Sequence, residues 1–384
     1  MPELQELGNG AADPRCGRRV ARMDGLRSAP VFAAQLAATC ALASLLTWRA
    51  IHYARKRRLI DLPGQRRSHR VPTPRGGGVA IVAAILVLGL LPAVLGATGP
   101  LPFDAALLAL AVCAVALVGW LDDHGGLSAR LRLVVHCAAA ALVFAVPLLH
   151  AMSAGPDAAP MAGLALFAVA LVTLAIAWSV NLHNFMDGID GLLVTQVLFV
   201  LLALAGLLAL AGARGPAQQL LVWAAACLGF LPFNFPRARI FMGDVGSGVL
   251  GLLVGVAVLW QAGTPGIAAA SGLVLCSAFV TDATCTLLLR MLRGRRWYSA
   301  HREHLYQWLV RRGGTHARAV AFYMAWNLLI VLPVVCWMNR SPEARASTGF
   351  GAAAALYAVA VAAWWNGKAA CLRRAGSRRL HAAA

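Results

Sequence analysis

The stretch PMAGLALFAVALVTLAIAWSVNLHNFMDGIDGL (160–192) reads in two halves. Residues 160–180 carry no charge and are long enough to cross a membrane as a helix, which takes roughly 20 apolar residues. The second half, NLHNFMDGIDGL (181–192), crowds two amides, a histidine and two carboxylates into one short loop. Ionisable groups beside hydrocarbon are costly and usually functional. The pattern recurs along the chain: polar loops follow Arg49 and occupy LDDHGGLSARLRL (121–133), FNFPRARIFMGDVGS (233–247) and AHREHLYQ (300–307). All five loops follow odd-numbered apolar spans, so spans that cross in turn bring them to one side. Loops after even-numbered spans carry almost nothing of the kind.

Composition agrees with a membrane setting. The 384 residues are 60% hydrophobic and 13% charged, with mean hydropathy +0.70, whereas soluble domains are about half apolar and about a quarter charged. Eleven spans are predicted, near 30–51, 77–96, 102–121, 133–150, 160–180, 192–212, 218–234, 247–261, 265–289, 318–338 and 348–366. Those at 218–234 and 247–261 are short and contain Gly, so tilted, irregular or partly buried helices are expected there. The fold class is therefore all-α, a polytopic integral membrane protein with about 10–11 transmembrane helices. Residues 1–29 form a polar tail, 30–338 the main membrane domain, 339–366 an extra C-terminal span, and 367–384 a basic tail.

A net charge of +19 would suggest nucleic acid in a soluble protein. Here the loops after odd spans and the C-terminal tail hold most of the 34 Lys and Arg, which is the positive-inside pattern. That excludes nucleic acid as a partner and makes the lipid bilayer the expected surroundings. It also predicts that the five loops face the cytoplasm. Arg15, Arg18, Arg19, Arg22 and Arg27 run against this rule; either the later loops override them or translation starts at Met23. No A-x-A-like site marks a signal peptide. The nine cysteines show no CxxC spacing, which argues against a zinc site or a disulfide framework.

Only fifteen acids are present, and Asp122, Asp123, Asp187, Asp190 and Asp244 all lie at or just past span ends. One such residue is readily a solvated helix end. Five on one side repel unless a cation or basic groups neutralise them, and oxygen-only ligands favour Mg²⁺, with Mn²⁺ as the alternative. Asn181, Asn184, Asp187 and Asp190 recur every three residues, a single polar stripe if helical, and Gly188 lets the backbone approach a ligand closely. Gly243 flanks Asp244, where a Gly-rich backbone can offer N–H groups to phosphate. His301, Arg302 and His304 are candidate binding residues, whereas Arg290, Arg293, Arg295 and Arg296 read as topogenic charge. Arg75 with Gly76–Gly78 could touch phosphate. His69 and Arg70 are weaker candidates, and His52, His136, His150 and His183 are read as structural.

Taken together, DxPxxRxxHxxPxPRGGG, DDxxxLSxxxRL, NxxNxxDGIDGL, FNxPxAxxFMGDxGS and HRxHL, in this order over roughly 59–310, resemble the polyprenyl-phosphate N-acetylhexosamine-1-phosphate transferase superfamily. The resemblance implies transfer of an amino-sugar 1-phosphate from a UDP-amino sugar to undecaprenyl phosphate, with release of UMP, at the cytoplasmic face of a bacterial inner membrane. It implies that Asp244 holds Mg²⁺ with Asp187, and that Asp122 and Asp123 lie by the lipid phosphate. Asp187 and Asp190, with Asn181 and Asn184, would position the nucleotide, and Phe241 would stack on uracil. A homodimer fits the same resemblance. The last motif departs from it: HREHLYQ has Tyr306 and Gln307 where better-known members carry histidines. That argues against a MurNAc-pentapeptide donor and for GlcNAc, FucNAc or QuiNAc in surface-glycan synthesis. A secondary transporter is the rival from another class, but transporters place ionisable groups at the midplane, and only Asp282 is predicted to be deep. An intramembrane aspartyl protease is disfavoured because Phe241 replaces the first Gly of GxGD.

Overall fold

The computed structural model describes residues 28–62, 71–98, 101, 104–153, 162–295, 301–342 and 349–382. The N-terminal tail through residue 27, His69, Arg70 and Arg296 lie outside them. Among the described residues the chain is all-α apart from one two-stranded ribbon, β1 (Ile60–Asp61) and β2 (Thr73–Pro74), paired antiparallel with Ile60 opposite Pro74.

The helices are α1 (Ala29–Lys56), α2 (Gly78–Val94), α3 (Ala105–Gly125), α4 (Ala129–Ser153), α5 (Ala162–Met186), α6 (Leu192–Leu210) and α7 (Arg214–Asn234). They continue as α8 (Gly243–Ala262), α9 (Ser271–Leu275), α10 (Ser277–Leu292), α11 (Leu305–Arg311), α12 (His316–Met338) and α13 (Gly349–Ala382). Eight of them, among the described residues, are long and apolar enough to cross a membrane. This is a multi-pass membrane protein.

Two expectations change, those for the ninth span and the last helix. The segments 218–234 and 247–261 are largely buried, one of the readings their sequence allowed, within helices of 21 and 20 residues that each start about four residues earlier than the apolar run. In α8 that extension takes the Gly-Asp of the fourth loop into the first helical turn. The ninth span is not one helix: it breaks at Cys276 into α9 and α10. The last helix does not stop near 366 but continues through the basic stretch to Ala382.

Helix α8 is the axis of the bundle and packs against α2, α3, α5 and α6. Gly246, Gly248, Gly251 and Gly255 recur along it, and small residues let membrane helices approach closely without a hydrophobic driving force. Ser179 on α5 donates to the Gly251 carbonyl at 2.7 Å. At the periphery, α1 buries a single stripe, Thr39, Ala43, Thr47 and Ile51, each one turn apart. Polar pairs lock the interior: the Asn327 amide donates to Gln196 at 2.6 Å with both side chains buried.

Candidate active site

The five loops do meet at one end of the bundle. Backbone pairing makes the first junction. The Phe241 N–H donates to the Pro74 carbonyl at 2.8 Å, Gly77 N–H to Phe241 O at 2.9 Å, and Gly78 N–H to Met242 O at 2.8 Å. This clip fixes residues 74–78 beside the start of α8. It places Arg75 against Asp123, at the C-terminal end of α3, in an ion pair. The Asp123 side chain is only 3% exposed, and a buried carboxylate needs such a partner. Its other oxygen accepts the Asp244 backbone N–H at 3.0 Å.

Gly119, one turn before these acids, lets α3 touch the chain at Asp244. A Cβ there would sit 2.6 Å from the Asp244 carbonyl carbon and the Val245 nitrogen. Valine at 119 should cost about 1–3 kcal/mol of overpacking and displace Asp244. We expect a lower unfolding temperature in detergent and at least tenfold less activity; wild-type values for both would refute the contact.

Arg132, in the first turn of α4, joins the acids. It bonds Asp122 Oδ2 at 2.6 Å and stands 3.6 Å from Asp244 Oδ2. The other Asp122 oxygen accepts the Leu127 N–H at 2.5 Å, so both Asp122 oxygens are engaged. Asn184, on the last turn of α5, donates to Asp244 Oδ1 at 2.9 Å and also lies 3.1 Å from the Ser247 hydroxyl. Asp187 follows just beyond the helix end. Burial, then the charges of Asp244 and Asp123, push its carboxyl up to about 8, against a pull from the Gly243 amide. Gly243 itself has φ +78, a left-handed turn that glycine adopts without steric cost. Four carboxyl groups, Asp122, Asp123, Asp187 and Asp244, thus gather about two arginines, Arg75 and Arg132.

Asp244 opens into a cavity of about 1070 Å³. Its lining includes the polar Asn181, Asn184, Asp244, Arg132, His301, His304 and Gln307 and the apolar Leu133, Leu174 and Trp178. His301 is held down to about 4 by burial, then by His304 and Arg290, so it is a neutral imidazole at pH 7. Its Nδ1 is buried with no protein hydrogen-bond partner. A second cavity, about 320 Å³, lies beyond Asp123 and Arg75 among Arg49, Tyr53 and Trp120.

The single polar stripe expected over 181–190 does not form. Helix α5 ends at Met186, so only Asn181 and Asn184 share its face, and Asp187 and Asp190 sit in the turn that follows. Asp190 is bound elsewhere: its Oδ2 accepts the Ala238 N–H at 3.2 Å and stands 3.1 Å from His316 Nδ1. Its Oδ1 is buried with no protein partner. Gly188 lies against the Tyr306 hydroxyl, leaving no space for a side chain. That hydroxyl donates to the Phe185 carbonyl at 2.9 Å. Phe241 is partly buried, on the clip. Arg302 occupies the turn between the two histidines, its carbonyl accepting from Arg311 at 3.3 Å.

Sequence alone does not single out Arg132 or His316. Arg132 lies in view as the second Arg of LSARLRL, whereas no pattern marks His316, whose partner is 126 residues away. His136, read as structural, is 8% exposed, yet it lines the large cavity 3.4 Å from Asn181. His183 is 2% exposed and bonded to the Ser179 carbonyl at 2.7 Å, in keeping with its structural reading.

Comparison with known proteins gives concordant matches. Residues 105–262 match the model of the family described as Glycosyl transferase family 4. The decaprenyl-phosphate N-acetylglucosaminephosphotransferase of Mycobacterium tuberculosis (strain CDC 1551 / Oshkosh) is 31% identical over 326 residues, 76% of this chain and 79% of that protein. The probable undecaprenyl-phosphate N-acetylglucosaminyl 1-phosphate transferase of Bacillus subtilis (strain 168) is 26% identical over 296 residues, 73% and 79% of the two chains. The phospho-N-acetylmuramoyl-pentapeptide-transferase of Deinococcus radiodurans is 34% identical over 233 residues, 55% of this chain and 71% of that one.

Proposed function

The chain belongs to the polyprenyl-phosphate N-acetylhexosamine-1-phosphate transferase superfamily, and from that premise we propose that it transfers an N-acetylated amino-sugar 1-phosphate from a UDP-sugar to undecaprenyl phosphate. One observation carries the reading: Asp122, Asp123 and Asp244 converge with Arg75 and Arg132, and Asp244 and Arg132 of this cluster line a cavity walled by both polar and apolar side chains. Such a cavity suits a sugar nucleotide meeting a lipid phosphate at an interface.

In the reaction, an oxygen of the lipid phosphate forms a bond to the sugar-bearing phosphorus. The bond from that phosphorus to the bridging oxygen breaks, and UMP leaves with the oxygen. Two polyanions must approach in line, so positioning and charge neutralisation dominate the catalytic task. Arg75 and Arg132 supply positive charge at the acids, and Asn184 fixes the Asp244 carboxylate. A phosphate monoester has a second pKa near 6, so the acceptor is mostly a dianion at pH 7 and gains little from a base. Asp122, with both oxygens engaged, acts through charge and geometry.

The donor set fits Mg²⁺. It offers carboxylate and amide oxygens, the ligand type Mg²⁺ prefers. Among the described residues no three His, Cys, Asp or Glu side chains gather closely enough to hold an ion alone. Mg²⁺ commonly takes one or two carboxylates, waters and substrate phosphates rather than an all-protein cage. Asp244 and Asp187 would hold it, and it would neutralise the phosphates being joined.

Two of the three relatives are named for N-acetylglucosamine and one for phospho-MurNAc-pentapeptide; the HREHLYQ loop argues against the pentapeptide donor, so UDP-GlcNAc is the proposed donor, with FucNAc- and QuiNAc-type donors as the alternatives. The product would begin a cell-surface polysaccharide on the inner membrane, with the site facing the cytoplasm as the basic loops argue. Purified protein given undecaprenyl phosphate, Mg²⁺ and a panel of UDP-sugars is expected to release UMP with UDP-GlcNAc, without any ion gradient. Release from none of the sugars would overturn the assignment.

A further inference from the structure

Asp282 lies in the middle of α10 and is 1% exposed. A carboxylate buried within a membrane helix must be answered by donors, and here they come from four separate elements. From the start of α11, Leu305 N–H reaches Oδ1 at 2.8 Å and Tyr306 N–H reaches Oδ2 at 3.4 Å. The Tyr323 hydroxyl of α12 donates to Oδ2 at 2.6 Å, and Trp364 Nε1–H of α13 donates to Oδ1 at 2.9 Å. Thr286, one turn along α10, lies 3.2 Å from Oδ1. Tyr323 and Trp364 are themselves 3% and 4% exposed. Hydrogen bonds to an ionised acceptor are roughly twice as strong as neutral ones, so this node is a firm anchor.

What it anchors faces the cavity. The N–H groups of Leu305 and Tyr306 are the first two of α11, orphan donors that every helix start must satisfy. The turn leading into them carries His301 and His304, and the first turn of α11 carries Gln307; all three line the cavity. The His304 ring stacks between those of His301, 4.9 Å away, and Tyr306, 5.7 Å away. His304 Nδ1 stands 3.7 Å from Asp282 Oδ1. We propose that Asp282 is a positioning residue that sets the His301–Gln307 turn for the donor, and that α13 is a working part of the site because its Trp364 completes the anchor. The inference rests on the transfer reading above. Polar rings and an amide suit sugar hydroxyls rather than a prenyl chain, so recognition of the donor should suffer and recognition of the lipid should not.

The test uses the full chain in detergent or nanodiscs, as wild type, Asp282→Asn, Trp364→Phe and Tyr323→Phe. Without substrate, amide hydrogen exchange over 301–311 should quicken about tenfold in Asp282→Asn and Trp364→Phe, as loss of a hydrogen bond to a charged group implies. With substrates, KM for the UDP-sugar should rise about tenfold while KM for undecaprenyl phosphate stays within twofold. Unchanged exchange in both variants overturns the proposal, as do KM values that rise together. Should Asp282→Asn fail to fold, Trp364→Phe and Tyr323→Phe, each removing one donor, decide the matter by the same criteria. A wild type that turns over no UDP-sugar sinks the transfer reading, and the exchange measurement then judges the anchor alone.

Discussion

Replacing Asp244 with Asn is expected to lower transfer by roughly 10³-fold, the scale on which losing one preorganised electrostatic contact to a reacting group is felt, without loss of the fold. Asn is nearly isosteric and can still accept from Asn184, whose amide lies 2.9 Å from Oδ1 in the wild type. The backbone N–H that reaches Asp123 is untouched. What disappears is one negative charge beside Asp123 and Asp187, where like charges crowd. The variant should therefore unfold in detergent at the wild-type temperature or slightly above it, an inactive protein that is no less stable. A folded Asp244→Asn enzyme with wild-type turnover would remove Asp244 from the chemistry.

Chelation should have an effect of similar size. Excess EDTA is expected to suppress UMP release by more than about a hundredfold, and added Mg²⁺, or Mn²⁺, to restore it. A second readout does not depend on turnover. An ion that binds only the folded protein raises its unfolding temperature, so Mg²⁺ should stabilise the wild type and leave Asp244→Asn unmoved. Full turnover in EDTA, or equal stabilisation of both proteins, would show that these carboxylates do not serve a cation.

The broad fold was legible because lipid imposes a simple grammar: apolar runs near 20 residues, basic loops on one side, acids only where they have a task. That grammar placed Asp122, Asp123, Asp187 and Asp244 at span ends, and the structure gathers them. It could not say where a helix stops. Asn181 to Asp190 kept a helical period in sequence, but the chain leaves the helix at Met186, and Asp190 turns to His316 instead. Nor could it reveal partners supplied from far along the chain. Asp282 looked like an isolated deep acid, since its donors Tyr323 and Trp364 lie 41 and 82 residues away. Tyr306 stood out as a substitution in a histidine motif. Its fit under Phe185 and Gly188 depends on shape, which a string of letters does not encode.

The backbone clip between residues 74–78 and 241–242 has a mechanical consequence. Because main-chain bonds rather than side chains join the two segments, α2 and the head of α8 are yoked and travel together. The large cavity lies instead beside α4 and α5, whose Leu133 and Trp178 line it. Arg75 and the Asp244 N–H both meet the Asp123 carboxylate, so the yoke holds these two groups in fixed registry.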